Sequence, residues 1–596
     1  MGSNRRQWVV SLDGSVLPDR SLIGGKAWSV ARMMSLGLPV PPAFVVTTEA
    51  CKAFLADGSF SSELEAQIFD GMADLEMRTE RSFGKGDRPL LVSVRSGAPV
   101  SMPGMMDTIL NLGITPDTEK ALAVECGDPA FARDVHRRFF DLYAHIVLKT
   151  GVEDFPRDGN AESWNGQVAA AAGAPLPVAA PERLLAAVRA VFDSWNSRRA
   201  RRYREHHDIP HDLGTAVTVQ AMVFGNLDDR SGTGVLFSRN PSTGDRKPFG
   251  EYLARAQGED IVSGKFTPDT LDTMKASVPA AYEALMASSA TLERENGDVQ
   301  DIEFTVQKGE LFLLQSRSAK RAPAAAVRIA VDMAREGAIS EETALDRITP
   351  EQVRLILAPR LASGQSDKAK VIACGEGACP GVGRGIVVTS SDEAEARAKA
   401  GEAVILARPT TSPEDVHGML AALAIITETG GSTSHAAVVS RALGLPCVVG
   451  CGLGSLELVS GRIVTVDGAL GRVFEGALDL VIPDETSDEQ LTVLTRWAKA
   501  RSRLVIHRPS EAPSENLIDL NTVEGGEDPK RLCGLIRGYR GARGGAIASG
   551  EGIRAALQEK LEFVVGEPVL PLLIAAIRLQ TENATGEMLA AETANS

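Results

Sequence analysis

No window of about 18 consecutive apolar residues occurs in this chain, and its start, MGSNRRQWVVSLDG, holds no apolar segment long enough for a signal peptide. Neither a membrane-spanning helix nor secretion is expected. The seven cysteines are scattered at positions 51, 126, 374, 379, 447, 451 and 533, with no CxxC pair beside a matching histidine set. That argues against a zinc site and against a disulfide framework, and the expected location is cytoplasmic. Positive charge is not in excess: 63 Lys and Arg face 78 Asp and Glu, and the net charge of −15 is spread along the chain. Such a surface opposes nucleic acid and anionic membrane as partners, while a local basic pocket for nucleotide phosphates stays compatible with it. A G-x-x-x-x-G-K-[ST] loop is missing too. Its nearest approximation, Gly24-Gly25-Lys26-Ala27, lacks the hydroxyl that would hold magnesium, so a P-loop ATPase is not expected.

What remains has the makeup of an ordinary globular protein, 44% hydrophobic and 24% charged. At 596 residues it is too long for one core and calls for three or four domains. Residues 1–322 alternate β-branched runs (LLVSVRSG, TAVTVQAMVFG, DIEFTVQKGELFLLQSR) with amphipathic helical stretches, an α/β pattern. Within them, 151–182 is rich in Ala, Pro, Gly and Asn and reads as a loose surface insertion. Residues 323–370 form a helical linker; its segment ITPEQVRLIL starts a helix with Thr349 as N-cap, Pro350 at the first position and Gln352 closing a capping box. Strand runs return in 371–485 (GIVVTSS, EAVILAR, LAIITET, PCVVG, GRIVTVDG). Residues 486–596 open with a helix, continue through a Gly-rich stretch, and end in about 20 residues that read as frayed.

The most informative string is TGGSTSHAAVVSR at 429–441. Ala436, Val438, Val439, Ala442 and Leu443 fit the apolar phase of a helix, which puts His435 in its first turn. There, unpaired N–H groups and the positive end of the dipole favour an anion. Gly430 and Gly431 let backbone approach a phosphate closely, and Ser432, Thr433 and Ser434 supply hydroxyls. A histidine so placed suits covalent phosphoryl transfer, which splits one hard step into two easier ones. A helix N-terminus with an incidental histidine accounts for the local pattern about as well.

This string resembles the phosphohistidine motif of the pyruvate phosphate dikinase and phosphoenolpyruvate synthase family, found in looser form in enzyme I of the sugar phosphotransferase system. The resemblance extends over roughly residues 8–500. LIGGKAWSVARMMSLGLPVPPAFVVTT is similar to the family's first motif, with Lys26 at a helix start. LLVSVRSGAPVSMPGMMDTILNLG matches the second, with Arg95 placed to fork onto phosphate oxygens and SMPGMMDT as a mobile cover loop. DIEFTVQKGELFLLQSRSAKR reads as a hairpin turning at Lys308-Gly309; alternation puts Asp301 and Glu303 on one face, and Gln315 and Arg317 on one face of the partner strand. A cross-strand ion-pair ladder would look the same.

The resemblance implies an α/β multidomain protein: an ATP-grasp nucleotide-binding domain, the helical linker, a swivelling phosphohistidine domain and a short C-terminal remnant. It implies Mg²⁺ held by Glu303 and Gln315, phosphate contacts from Lys26, Arg95 and Arg317, a place for Asp301 in the same ATP site, adenine near Gln220, Met222 and Val223, and ribose or phosphates near Gln257 and Glu259. His435, Thr433, Arg95 and Arg317 form the implied catalytic set. ATP would phosphorylate His435, and the group would pass to a small-molecule acceptor. A homodimer is compatible with this reading.

Two departures stand out. Family members that make or use phosphoenolpyruvate add a (β/α)₈ barrel of about 250 residues, whereas roughly 110 residues follow position 486. Cys533 is not assigned as an acid. Dikinases also carry an arginine before the glycine pair, where this chain has Thr429, preceded by Glu428. Two alternatives therefore stand beside the phosphotransferase: a subunit whose acceptor site lies on a separate protein, and an ATP-responsive regulator signalling through phosphohistidine.

Overall fold

The computed structural model describes residues 6–594, apart from 101, 103–107, 153–154, 263–265, 358–359, 363, 444, 482 and 527. Of the expected cover loop SMPGMMDT only Met102, which is buried, and Thr108 are among them; the rest lies outside the described residues.

Two antiparallel five-stranded sheets build the first half. One runs Val9–Leu12, Ala43–Val46, Ala216–Ala221, Val92–Gly97, Thr108–Leu112. The other runs Asp269–Thr270, Phe249–Ala254, Gly232–Phe237, Gln300–Gln307, Glu310–Ser318. The helix Arg20–Ser35 links the two: Ala27 and Val30 share one apolar cluster with Val45 and Ala216 of the first sheet and with Leu236, Ile302 and Leu313 of the second. The hairpin expected at 301–317 forms, and Lys308 (φ 53°) and Gly309 (φ 85°) both turn through positive φ. That is the twist a two-residue hairpin loop favours.

Between 371 and 475 lies an eight-stranded mixed sheet. Its central strands Val382–Val388, Val404–Arg408, Ile425–Thr427 and Cys447–Val449 are parallel to one another. The C-terminal unit is a four-stranded parallel sheet in the order Val505–His507, Phe563–Val565, Gly541–Arg543, Leu517–Asp519.

Three local expectations change. Residues 151–182 are not merely loose: Asn160 caps the helix Ala161–Ala172, whose Trp164 and Val168 are fully buried in the first domain's core. Alanine-rich composition hid a helix anchored by one indole. The linker is more than a connector, because Val327, Val331 and Val353 of its helices pack with Leu494, Trp497, Leu570 and Leu573 in one core. Its capping box at Thr349 forms as expected. The described part of the last segment is helical: the helix Val569–Ala594 runs through it, with Leu570 and Leu573 in that same core.

Candidate functional site

Lys26 and Arg95 are brought together by backbone contact. Gly24 interrupts its helix at φ 75°, ψ 163°, and a Cβ there would lie 1.8 Å from the Gly97 carbonyl oxygen. Only glycine tolerates that approach. Gly25 N–H donates to the Ala98 carbonyl at 3.0 Å, which pins the Gly-Gly turn against the end of the strand carrying Arg95.

From the second sheet comes the hairpin, whose register sets Asp301 opposite Arg317 and Glu303 opposite Gln315. Arg95 Nη2 reaches across from the first sheet to Glu303 Oε2 at 3.1 Å, and Arg317 Nε donates to Asp301 Oδ2 at 2.8 Å. Three cations and two carboxylates thus face one another between the sheets. Burial, with Arg95 and Arg317 beside it, pulls the Lys26 ammonium down to about 7 against the opposing pull of Glu303. Burial works to raise Glu303, but Arg95, Arg317 and Lys26 together outweigh it and hold its carboxyl below the usual range. Asp301 is raised by burial, opposed by Arg317.

The remaining nucleotide-site candidates lie on or just after strands of the two sheets. Gln220 is buried, with its amide nitrogen donating to the Pro41 carbonyl at 3.1 Å. Met222 and Val223 follow the end of that strand and are half-buried. Gln257 is buried, with no partner for its Oε1 among the described residues, and Glu259 lies in the short helix Gly258–Val262.

His435 is the first residue of the helix His435–Leu443 and is half-buried. Its Nδ1 is 3.1 Å from the Thr411 hydroxyl. When Nδ1 carries the proton and donates it to Thr411, Nε2 presents its lone pair. Burial depresses the imidazole below its ordinary value, opposed by Asp415, so the neutral form prevails at neutral pH. Arg441, two turns on, is buried and donates to the carbonyls of Ser432 (2.7 Å) and Ala378 (3.1 Å), bracing the loop before the histidine. Thr429, where dikinases have arginine, donates to the Pro409 carbonyl at 3.1 Å, and Glu428 accepts from the N–H groups of Gly454 and Leu456. Both side chains serve local structure.

The histidine helix lies against the nucleotide domain. Ala436 and Ala437 share an apolar cluster with Val235 and Phe237 of the second sheet, and the Arg441 guanidinium lies 5.7 Å from the Phe237 ring centroid. Glu251 of that sheet hydrogen-bonds Ser432 and Thr433 directly. Neither Glu251 nor Thr411 is singled out by sequence reasoning. Each lies far from His435 in the chain, and no spacing rule joins them.

Residues 20–281 match the family described as "Pyruvate phosphate dikinase, AMP/ATP-binding domain", and residues 400–471 match "PEP-utilising enzyme, mobile domain". A pyruvate, phosphate dikinase of Rhizobium meliloti (strain 1021) is 40% identical over 544 residues, 83% of this chain and 60% of that one. One from Clostridium symbiosum is 38% identical over 563 residues, 88% of this chain and 64% of its own, and a chloroplastic one from Zea mays is 41% identical over 84% of this chain and 56% of its own. This chain therefore spans less than two thirds of the length of these relatives. Among solved structures, a solution structure of an Enzyme I protein aligns at 33% identity over 15% of this chain and 36% of its own with a TM-score of 0.12, which carries no weight on the fold. The helices among the described residues include none long and apolar enough to cross a membrane. This chain thus carries the AMP/ATP-binding domain of pyruvate phosphate dikinase and the mobile domain of PEP-utilising enzymes, and it is about 40% identical to pyruvate phosphate dikinases across most of its own length.

Proposed function

We propose that this chain is an ATP-dependent phosphotransferase that phosphorylates His435 and relays the phosphoryl group to an acceptor. The observation that carries the reading is the seating of the histidine helix on the same sheet that bears Asp301, Glu303 and Arg317. In this reading 1–322 bind nucleotide, 323–370 link, 371–485 swivel and 486–596 form a C-terminal unit, all in the cytoplasm. Lys26, Arg95 and Arg317 neutralise the polyphosphate, with Gln220, Met222 and Val223 toward adenine and Gln257 and Glu259 toward ribose. Catalysis here is charge neutralisation and positioning. Nε2 of His435, with Nδ1 held by Thr411, attacks the β-phosphorus. The bond from that phosphorus to the oxygen it shares with the α-phosphate breaks, AMP leaves, and the γ-phosphoryl passes to phosphate or water.

Magnesium fits the crevice. Among the described residues the buried Asp301 Oδ1 has no hydrogen-bond donor, and Glu303 sits across the register from the Gln315 amide, an all-oxygen donor set that suits a hard cation. Among the described residues no three Asp, Glu, His or Cys side chains cluster for a metal, so the ion's shell would be completed by the nucleotide's own phosphates. Bound between Glu303 and Gln315, it would supply charge neutralisation at those phosphates.

Lys26 gives the site a pH signature. Its folded value, about 7, lies below the ordinary 10.5, so the unfolded chain holds more protons between those values and stability rises with pH across that window. Phosphates act oppositely, by favouring the ammonium. ATP binding should therefore take up a proton above pH 7, and affinity should fall toward about tenfold per pH unit. Titration calorimetry from about pH 6.5 to 8.5 should show this fall in the wild type and a flatter profile in Lys26→Arg. A flat wild-type profile would remove Lys26 from the phosphates.

The acceptor is a small molecule of the pyruvate type, or an alcohol or phenol, or its site lies on a separate protein. The sheet at 505–565 has four strands among the described residues rather than the eight of a closed barrel. Given ATP, Mg²⁺, phosphate and pyruvate, this chain by itself should accumulate phospho-His435 and give no phosphoenolpyruvate above background. Phosphoenolpyruvate in quantity would locate an acceptor site within 486–596.

A further inference from the structure

One acidic side chain of the nucleotide domain reaches into the histidine motif. Glu251, on the strand Phe249–Ala254, is 7% exposed. Its Oε1 accepts from the Ser432 backbone N–H at 3.0 Å and from the Ser432 hydroxyl at 2.7 Å, and its Oε2 accepts from the Thr433 hydroxyl at 2.6 Å. These donors stand three and two residues before His435, at the N-terminal end of its helix, the environment that suits a phosphate. The approach depends on Gly431, where a Cβ would lie 2.6 Å from Glu251 Oε1. A second carboxylate, Glu376 of the mobile domain itself, takes the same Ser432 N–H at 3.1 Å. Burial, with Glu251 beside it, pushes Glu376 up. Arg441 spends its hydrogen bonds on the carbonyls behind the loop, and its charge only partly offsets the rise of Glu376.

We propose that Glu251 stands in for phosphate: it docks the unphosphorylated mobile domain by filling the donor cradle beside His435, and a phosphoryl group on His435 displaces it and releases the domain. This rests on reading His435 as the phosphoryl acceptor. A phosphoryl group brings roughly two negative charges and strong acceptor oxygens. It would compete with Glu251 for the Ser432 and Thr433 donors and repel it as like charge. Glu376 travels with the mobile domain, so the contact that breaks is the one between domains. The apolar packing of Ala436 and Ala437 on Phe237 is indifferent to charge and cannot oppose the displacement selectively.

The test uses the full chain with donor and acceptor fluorophores on unnatural residues replacing exposed Lys247 and Leu453. Potassium phosphoramidate transfers its phosphoryl group to an imidazole nitrogen with loss of ammonia and needs no nucleotide site. Energy transfer should fall by at least half as phospho-His435 rises by mass analysis, and should not change in His435→Ala. In Glu251→Gln, which keeps an acceptor oxygen without the charge, the response to phosphorylation should shrink at least fourfold. A wild type that stays docked with His435 phosphorylated, or a Glu251→Gln response equal to wild type, overturns the proposal. A parallel run with Mg-ATP separates the two claims: labelling by phosphoramidate but not by ATP sinks the ATP reading and leaves displacement standing. No phosphohistidine from either reagent overturns both.

Discussion

ATP labelled in its β-phosphoryl group should leave an acid-labile, base-stable label on this chain, and His435→Ala should reduce it to background. The expected loss is complete because the substitution removes the nucleophile itself and not one contact around it. The fold should survive. His435 is half-buried, its side chain hydrogen-bonds Thr411, and alanine is a good residue for a first helical turn. Unchanged thermal unfolding alongside lost label would assign the chemistry to the imidazole. Label that persists in the variant would move the nucleophile elsewhere and end the central claim. Thr411→Ala should slow labelling without abolishing it, because Nδ1 loses the partner that holds the productive tautomer.

Removing one cation between the sheets should cost nearly as much. Arg95→Ala, and separately Arg317→Ala, should cut the labelling rate by about two orders of magnitude, since a preorganised charge on a transferring phosphoryl group is worth about 3 kcal/mol. The two differ in what they leave behind. Arg95 lies 3.1 Å from Glu303, which retains Lys26 and Arg317 in its field, so that variant should fold normally. Arg317 is the ion-pair partner of Asp301, which is 3% exposed, and losing it strands a buried carboxylate. Arg317→Ala combined with Asp301→Asn should restore folding while labelling stays slow. Near-normal labelling in Arg95→Ala and in that double variant would place the nucleotide outside this crevice.

Much of this architecture is legible in the chain because its signals are local. The hairpin at 301–317 follows from alternation around Lys308-Gly309, while its register, which sets Asp301 opposite Arg317 and Glu303 opposite Gln315, comes from the structure. The helix start at His435 follows from apolar phase, and the cap at Thr349 from a four-residue pattern. What fails is equally instructive. The helix at 161–172 hides in low-complexity composition because one buried indole, Trp164, carries its anchoring.

By itself the sequence determined the residue types that do chemistry, the glycines that must stand beside them, and the periodicities that build helix and hairpin, all properties of neighbours in the chain. Tertiary structure alone decided which of these meet. Lys26 joins Arg95 because Gly24 packs onto Gly97, a contact between segments some seventy residues apart. Glu251 reaches Ser432 across 181 positions, and in sequence it is one glutamate on a strand with no feature to set it apart. The linker and the C-terminal unit make one core because two apolar faces, each incomplete alone, exclude water only together. Long-range pairing depends on the shape that burial selects, and no local pattern encodes it.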